Sequence, residues 1–225
     1  MTAEILPAIE IETAPEPDAA VIWMHGLGDD GRGWSEVVPT LGLPRGLAIR
    51  FIFPHAPIIP VTINNGMRMR AWYDIRQANL AERADVEGVR RSGTQVDALL
   101  ERETGRGIAP RRALLAGFSQ GGAIALYAGL RYPQRLAGIV ALSTYLIAPE
   151  RLDAEASAAN RATPIFMAHG MLDPTIPHAL GEMSRDYLAH RGYAVDWNAY
   201  PMAHQVCAEE IADLQRWIGA RLATP

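Results

Sequence analysis

The segment Leu114–Gly129, LLAGFSQGGAIALYAG, passes from an apolar run into an alanine-rich stretch through one serine, Ser119. Gly117 and Gly121 stand two positions to either side, giving Gly-x-Ser-x-Gly. The pentapeptide alone says little, because glycine and serine are common. Its setting says more. A strand-like run enters directly and a helix-like run leaves directly, as a nucleophile elbow requires. Such a turn forces the serine into strained backbone, and glycines remove the side chains that would clash. The competing reading, a tight turn whose serine caps a helix, ranks well below it.

Working outward, short apolar runs recur at 19–25, 47–53, 112–118, 137–142, 163–169 and 193–200. Most are apolar at consecutive positions, the pattern of strands covered on both faces in a parallel sheet. Residues 4–12 alternate and suit an edge strand. Helical periodicity is read over 87–104, 119–131, 178–190 and 205–221. This alternation predicts an α/β fold, a mostly parallel central sheet with helices on both faces, in one domain over residues 1–225.

Composition removes several function classes. All 21 basic residues are arginine, and lysine is absent. Schiff-base chemistry, a Ser–Lys dyad and a lysine-bearing phosphate loop are thereby excluded. A net charge of −4 argues against nucleic acid as a partner. The single cysteine, Cys207, leaves no internal disulfide and no cysteine-rich metal site. The N-terminus lacks the basic and apolar regions of a signal peptide, and no run reaches the length of a membrane span. A cytoplasmic location is the expectation. Monomer and homodimer both stay open.

A serine hydroxyl needs a base, and the base needs an orienting acid. In a strand–elbow–helix arrangement these follow in chain order as serine, acid, histidine. Of six histidines, His178, His190 and His204 come late enough. His178 follows a proline at a helix start, and His190 sits at an exposed helix end. His204 lies in the turn between the last strand and the last helix, where it can lean over the sheet's carboxyl edge. Asp173 follows a strand's carboxyl end, where ligand sites of open α/β sheets lie. Asp153 and Asp186 read as exposed, and Asp196 lies within a strand. The oxyanion formed on attack needs two backbone N–H donors. One comes from Gln120, the residue after the serine; the other is assigned to Leu27 in the turn His25-Gly26-Leu27-Gly28. Cys207, three residues past His204 in the helical pattern, is expected to be a small core residue.

Residues 54–85 break the alternation. A connection of this length is usually functional. Ile58, Ile59, Val61, Ile63, Met67, Met69 and Trp72 cannot all face water, so some are expected to pack beside Ser119 as a groove wall. Trp72, Met69 and, from the neighbouring Tyr145-Leu146 segment, Leu146 are the expected substrate contacts.

Four segments, VIWMHGLGDDG, PHAPIIPVTINNGMRMRAWYDI, LLAGFSQGGAIAL and HGMLDPTIP with YPMAHQV, resemble the small carboxylesterases and acyl-protein thioesterases of the phospholipase/carboxylesterase group, which have the α/β-hydrolase fold. The resemblance runs from about Val21 into the last helix. It implies Ser119, Asp173 and His204 as the triad, Leu27 and Gln120 as oxyanion donors, and an acyl channel beside the 54–85 excursion, with no metal and no cofactor. The expected activity is hydrolysis of carboxylic esters of short to medium acyl chains through an acyl-enzyme. Its partner is a small acyl ester or thioester. Acyl-protein thioesterase or lysophospholipase is the alternative, since the same route serves all three. A non-catalytic hydrolase-fold binding protein is a distant rival, because it should have lost a triad member.

Overall fold

The computed structural model describes residues 5–76 and 85–223. Residues 77–84, the last part of the excursion, lie outside the described residues. In chain order the elements are β1 (Ala8–Glu12), β2 (Ala19–Met24), α1 (Gly31–Ser35), α2 (Val37–Leu41), β3 (Ile49–Pro54), β4 (Ile58–Val61), β5 (Met67–Arg70), α3 (Val86–Gly105), β6 (Ala113–Phe118), α4 (Gln120–Arg131), β7 (Gly138–Leu142), α5 (Leu152–Glu155), β8 (Ile165–Gly170), α6 (His178–His190), β9 (Val195–Tyr200) and α7 (Ala208–Leu222).

Seven strands form the central sheet in the order β1-β3-β2-β6-β7-β8-β9. All neighbours are parallel except β1, which runs antiparallel to β3. Both faces are covered, which explains the unbroken apolar runs. Alternate residues of β2 show this. Ala20, Ile22 and Met24 join the core beneath α3 and α4, while Ala19, Val21 and Trp23 join the core beneath α2 and α7. Helix α7 presents Ile211, Leu214, Trp217, Ile218 and Leu222 to the second core. The chain therefore has the α/β fold expected, with helices on both faces. No helix among the described residues is long and apolar enough to cross a membrane.

Helix α4 is buried along almost its whole length. Its small residues, Gly121, Gly122, Ala123, Ala125 and Ala128, let it lie close against the sheet. The topology aims it. The chain adds β3 on one side of β2 and then β6 on the other. The carboxyl ends of β2 and β6 thus flank the point where the winding reverses, the usual crevice for a ligand in an open α/β sheet.

Within the excursion, β4 and β5 pair as an antiparallel hairpin. Its turn carries Asn65 and Gly66, both with positive φ, as a tight reversal requires. Helices α1 and α2 and this hairpin were not expected from the sequence.

Candidate active site

Ser119 occupies the corner between β6 and α4 with φ 56° and ψ −121°, a left-handed conformation unusual for a residue with a side chain. The surroundings hold it there. Its N–H donates to Leu142 O at 2.8 Å, and its own carbonyl accepts from the Thr144 hydroxyl at 2.7 Å. The flanking glycines are required by close approach. A Cβ on Gly117 would lie 2.3 Å from the Gly121 carbonyl, and one on Gly121 would lie 2.3 Å from Met24 O. Any larger residue at either position pushes the helix off the strand.

The structure brings the three expected side chains into one hydrogen-bonded chain. The Ser119 hydroxyl donates to His204 Nε2 at 2.9 Å, and His204 Nδ1–H donates to Asp173 Oδ2 at 2.6 Å. Asp173 is buried, and its Oδ1 accepts the N–H groups of Thr175 at 2.8 Å and Ile176 at 2.9 Å. These donors fix the carboxylate and leave Oδ2 for the histidine. The His204 ring packs on Phe118 at 4.7 Å between centroids. The two supporting loops are tied together where Met171 N–H donates to Tyr200 O and Leu172 N–H donates to Met202 O. His178 opens α6, and His190 ends it exposed, so neither reaches Ser119.

The expected oxyanion donors converge on the same corner. Register pairs Met24 with Gly117, which sets the turn after β2 beside Ser119. A Cβ on Gly26 would lie 3.6 Å from Ser119 Cβ. Among the described residues the N–H groups of Leu27 and Gln120 have no hydrogen-bond partner. Gln120 is the first residue of α4, so its N–H also lies at the positive end of that helix.

A buried network holds this turn. His25 is fully buried; its Nδ1–H donates to Gly26 O at 2.7 Å, and its Nε2 accepts from Ala56 N–H at 3.1 Å. Burial keeps the ring neutral by lowering its pKa. Gly28 N–H donates to Arg70 O at 2.9 Å, tying the turn to the hairpin. The Gln120 side chain adds a clamp that sequence reasoning missed. Its Oε1 accepts from Trp72 N–H and its Nε2 donates to Tyr73 O, both at 2.8 Å.

Trp72 corrects an expectation. It is 1% exposed, and its indole N–H donates to His25 O at 2.8 Å. The Ser92 hydroxyl donates to its carbonyl. It is a buried support of the turn that carries Leu27, with no surface to offer a groove. Val61 is buried too, and Ile59 is half-buried, while Ile58, Ile63 and Met67 face water, so some but not all of the excursion's apolar residues pack down. Met69 is half-buried, with its sulfur 3.8 Å from the position of a Cβ on Gly28, so it does flank the turn. Leu146 lines a cavity of about 350 Å³ with Tyr145, Ile147, Leu180, Met183 and Tyr187. That cavity begins one residue after Thr144, whose hydroxyl holds Ser119; the side chains of Ser119, Asp173 and His204 do not line it. The helical placement of Cys207 is corrected too, although the residue does pack against the second core. The helix starts one residue later, and Cys207 precedes it in extended backbone, half-buried, with its thiol pKa raised chiefly by burial. Among the described residues no cluster of His, Cys, Asp and Glu is arranged to hold a metal ion.

A profile of the phospholipase/carboxylesterase family matches residues 7–222. The chain belongs to that family. Acyl-protein thioesterase 1 of Gibberella zeae is 37% identical over 99% of this chain and 98% of its own. Among solved structures, Arabidopsis thaliana SOBER1 superposes with a TM-score of 0.86 at 28% identity, covering 91% of this chain and 99% of that one. Zea mays acyl-protein thioesterase 2 does so with a TM-score of 0.83 at 29% identity, covering 96% and 100%. The chain is thus a serine hydrolase of the phospholipase/carboxylesterase family, with the α/β-hydrolase fold.

Proposed function

We propose that the protein hydrolyses acyl thioesters, the acyl group passing through a covalent intermediate on Ser119. The observation that carries the mechanism is the Ser119–His204–Asp173 chain of 2.9 and 2.6 Å contacts. His204 Nε2 accepts the Ser119 proton as Oγ attacks the acyl carbon. Asp173 holds the imidazole in the Nδ1–H tautomer and stabilises the imidazolium. The N–H groups of Leu27 and Gln120 receive the developing oxyanion, where fixed dipoles cost no reorganisation. His204 returns the proton to the leaving group, then activates the water that releases the acid.

This chemistry accepts oxygen esters and thioesters alike, so the leaving atom is decided elsewhere. The sequence reading placed the oxygen ester first; the named relatives, thioesterases along their whole length, favour the thioester. A thiol, with a pKa of about 8.5, also leaves as its anion more readily than an alkoxide. The acyl chain is assigned to the cavity at Leu146, whose lining is mostly apolar.

The test compares kcat/KM for matched thioesters and oxygen esters across a series of acyl lengths. Thioesters should be preferred at every length. Each methylene entering the cavity adds about 0.8 kcal/mol, close to fourfold, until it is full. Leu146→Trp should move the optimum to shorter chains. Preference for oxygen esters, or a length profile that Leu146→Trp leaves unchanged, overturns the corresponding half of the proposal.

A further inference from the structure

One fully buried histidine beside Asp173 has no part in the scheme above. His169 ends the apolar run of β8. Its Nε2–H donates to Ile176 O at 2.9 Å, and the same nitrogen lies 3.5 Å from Asp173 Oδ2. The Ile176 residue is therefore held from both ends. Its N–H donates to Asp173 Oδ1, and its carbonyl accepts from His169. The other ring nitrogen, Nδ1, is buried against α6 and has no hydrogen-bond partner among the described residues. A Cβ on Gly181 would come within 2.5 Å of it. A proton on Nδ1 would have no acceptor, so the ring stays in the neutral Nε2–H form.

We propose that His169 is a positioning residue for Asp173, clamping the Met171–Pro177 loop so that Oδ2 stays aimed at His204. This rests on the reading of Asp173 as the triad acid. The geometry explains why a histidine serves. A donor at Nε2 is needed to tie down Ile176 O, and a flat ring is needed to fit under α6. A permanent cation would not serve, because at 3.5 Å it would compete with His204 for the same carboxylate oxygen. The groups facing the ring are Asp173 from the loop, His178 from α6 at 5.7 Å between centroids, and Trp197 from β9 at 6.2 Å, with His204 beyond Asp173. Burial, the largest influence, lowers the His169 pKa and keeps it neutral among them.

The experiment uses the full-length chain with His169→Leu and His169→Gln, since the glutamine amide places an N–H donor where Nε2 stands. Kinetics are followed with a chromogenic acyl ester, and a fluorophosphonate labels the wild type as a control on the triad. His169→Leu should lower kcat roughly 10- to 100-fold with KM changed by less than about twofold. The acid limb of its kcat/KM profile should move to lower pH, because His204 loses a fixed carboxylate. His169→Gln should recover most of both. A merely space-filling histidine would alter thermal stability without moving the pH limb. A folded His169→Leu with wild-type kcat and profile overturns the proposal, as does a glutamine variant no better than leucine. If the leucine variant does not fold, glutamine is compared with His169→Asn, whose amide falls short by one methylene. Glutamine near wild type with asparagine shifted supports the proposal; equal behaviour overturns it. Failure of the wild type to label at Ser119 overturns the triad reading and this inference with it, whereas a labelled wild type with an unaffected leucine variant overturns this inference alone.

Discussion

Trp72→Phe removes the hydrogen bond beneath the turn that carries Leu27. A phenyl ring still packs against the first core, but the fused pyrrole ring goes, leaving a small void, and with it goes the indole N–H that reaches His25 O at 2.8 Å. His25 is fully buried and its carbonyl has no route to water, so its acceptor is left unsatisfied. That costs about 1–3 kcal/mol. A chain of this size loses roughly 2–4 °C per kcal/mol, so loss of the hydrogen bond alone should lower Tm by roughly 2–12 °C. The turn carrying Leu27 loses one of its tethers while Gly28 N–H and the His25 ring keep theirs. A partly misplaced donor should lower kcat about tenfold, well short of the 10²–10³ expected for a donor removed outright. Scanning fluorimetry and kcat on a short-chain ester measure both. The acyl-length optimum should not move, because the Trp72 side chain is buried against the core. Trp72→Ala is far harsher, at about 3–5 kcal/mol from lost packing alone. A Trp72→Phe variant with unchanged Tm and a shifted acyl-length optimum would refute the assignment of Trp72 to the scaffold and return it to the substrate.

Asp173→Asn should leave the fold intact but favour the wrong imidazole tautomer, lowering kcat by roughly 10⁴ with little change in KM, as steady-state kinetics on an ester will show. Cys207→Ser should retain most activity and raise Tm slightly, since Cys207 caps α7 without a side-chain hydrogen bond and serine caps better by about 0.5–1 kcal/mol; loss of turnover on this change would give the thiol a chemical role. Glu210 lies buried in the first turn of α7, where burial, with the Asp213 charge adding, pushes its carboxyl up to about 8. The folded state then holds a proton that the unfolded state releases between about pH 4.5 and 8, so stability falls as pH rises through that window. Glu210→Gln should match the wild type near pH 4.5 and exceed it in Tm by a margin that widens to pH 8; a constant margin would contradict the assignment.

The parts of the fold that could be read from the sequence are those with long or doubly buried apolar runs. The strands β2, β3, β6, β7 and β8, and the helices α3, α4, α6 and α7, all lie within a few residues of the segments their periodicity marks. Ser119, Asp173 and His204 were legible for a different reason. The elbow restricts the serine to one setting, and chain order then restricts its partners. Helices α1 and α2, five residues each, are too short to show a period. The β4–β5 hairpin has four-residue strands, and its alternation is blurred because Ile58 and Met67 face water. Direction is what composition hides. Trp72 reads as apolar surface for a substrate, yet it turns inward to a carbonyl 47 residues away in the chain. The Gln120 amide acts through backbone groups 47 and 48 residues away, and the His169 ring through a carbonyl seven residues on, in the loop after β8; residue spacing encodes neither contact. Cys207 was placed in α7 because polar and apolar spacing runs through the cap; only backbone angles of −120° and 169° show that the helix has not begun.

The central claim is that Ser119 Oγ is the atom that bears the acyl group. Because the chain has no lysine, trypsin cuts only after arginine, and residues 113–131 emerge as one peptide containing Ser119. Mass spectrometry of the native protein after fluorophosphonate treatment tests the claim directly. The expected result is a single adduct on Ser119 within that peptide, formed in step with loss of activity and absent from Ser119→Ala and His204→Ala. An adduct on any other residue, or turnover by a folded Ser119→Ala protein, would contradict it.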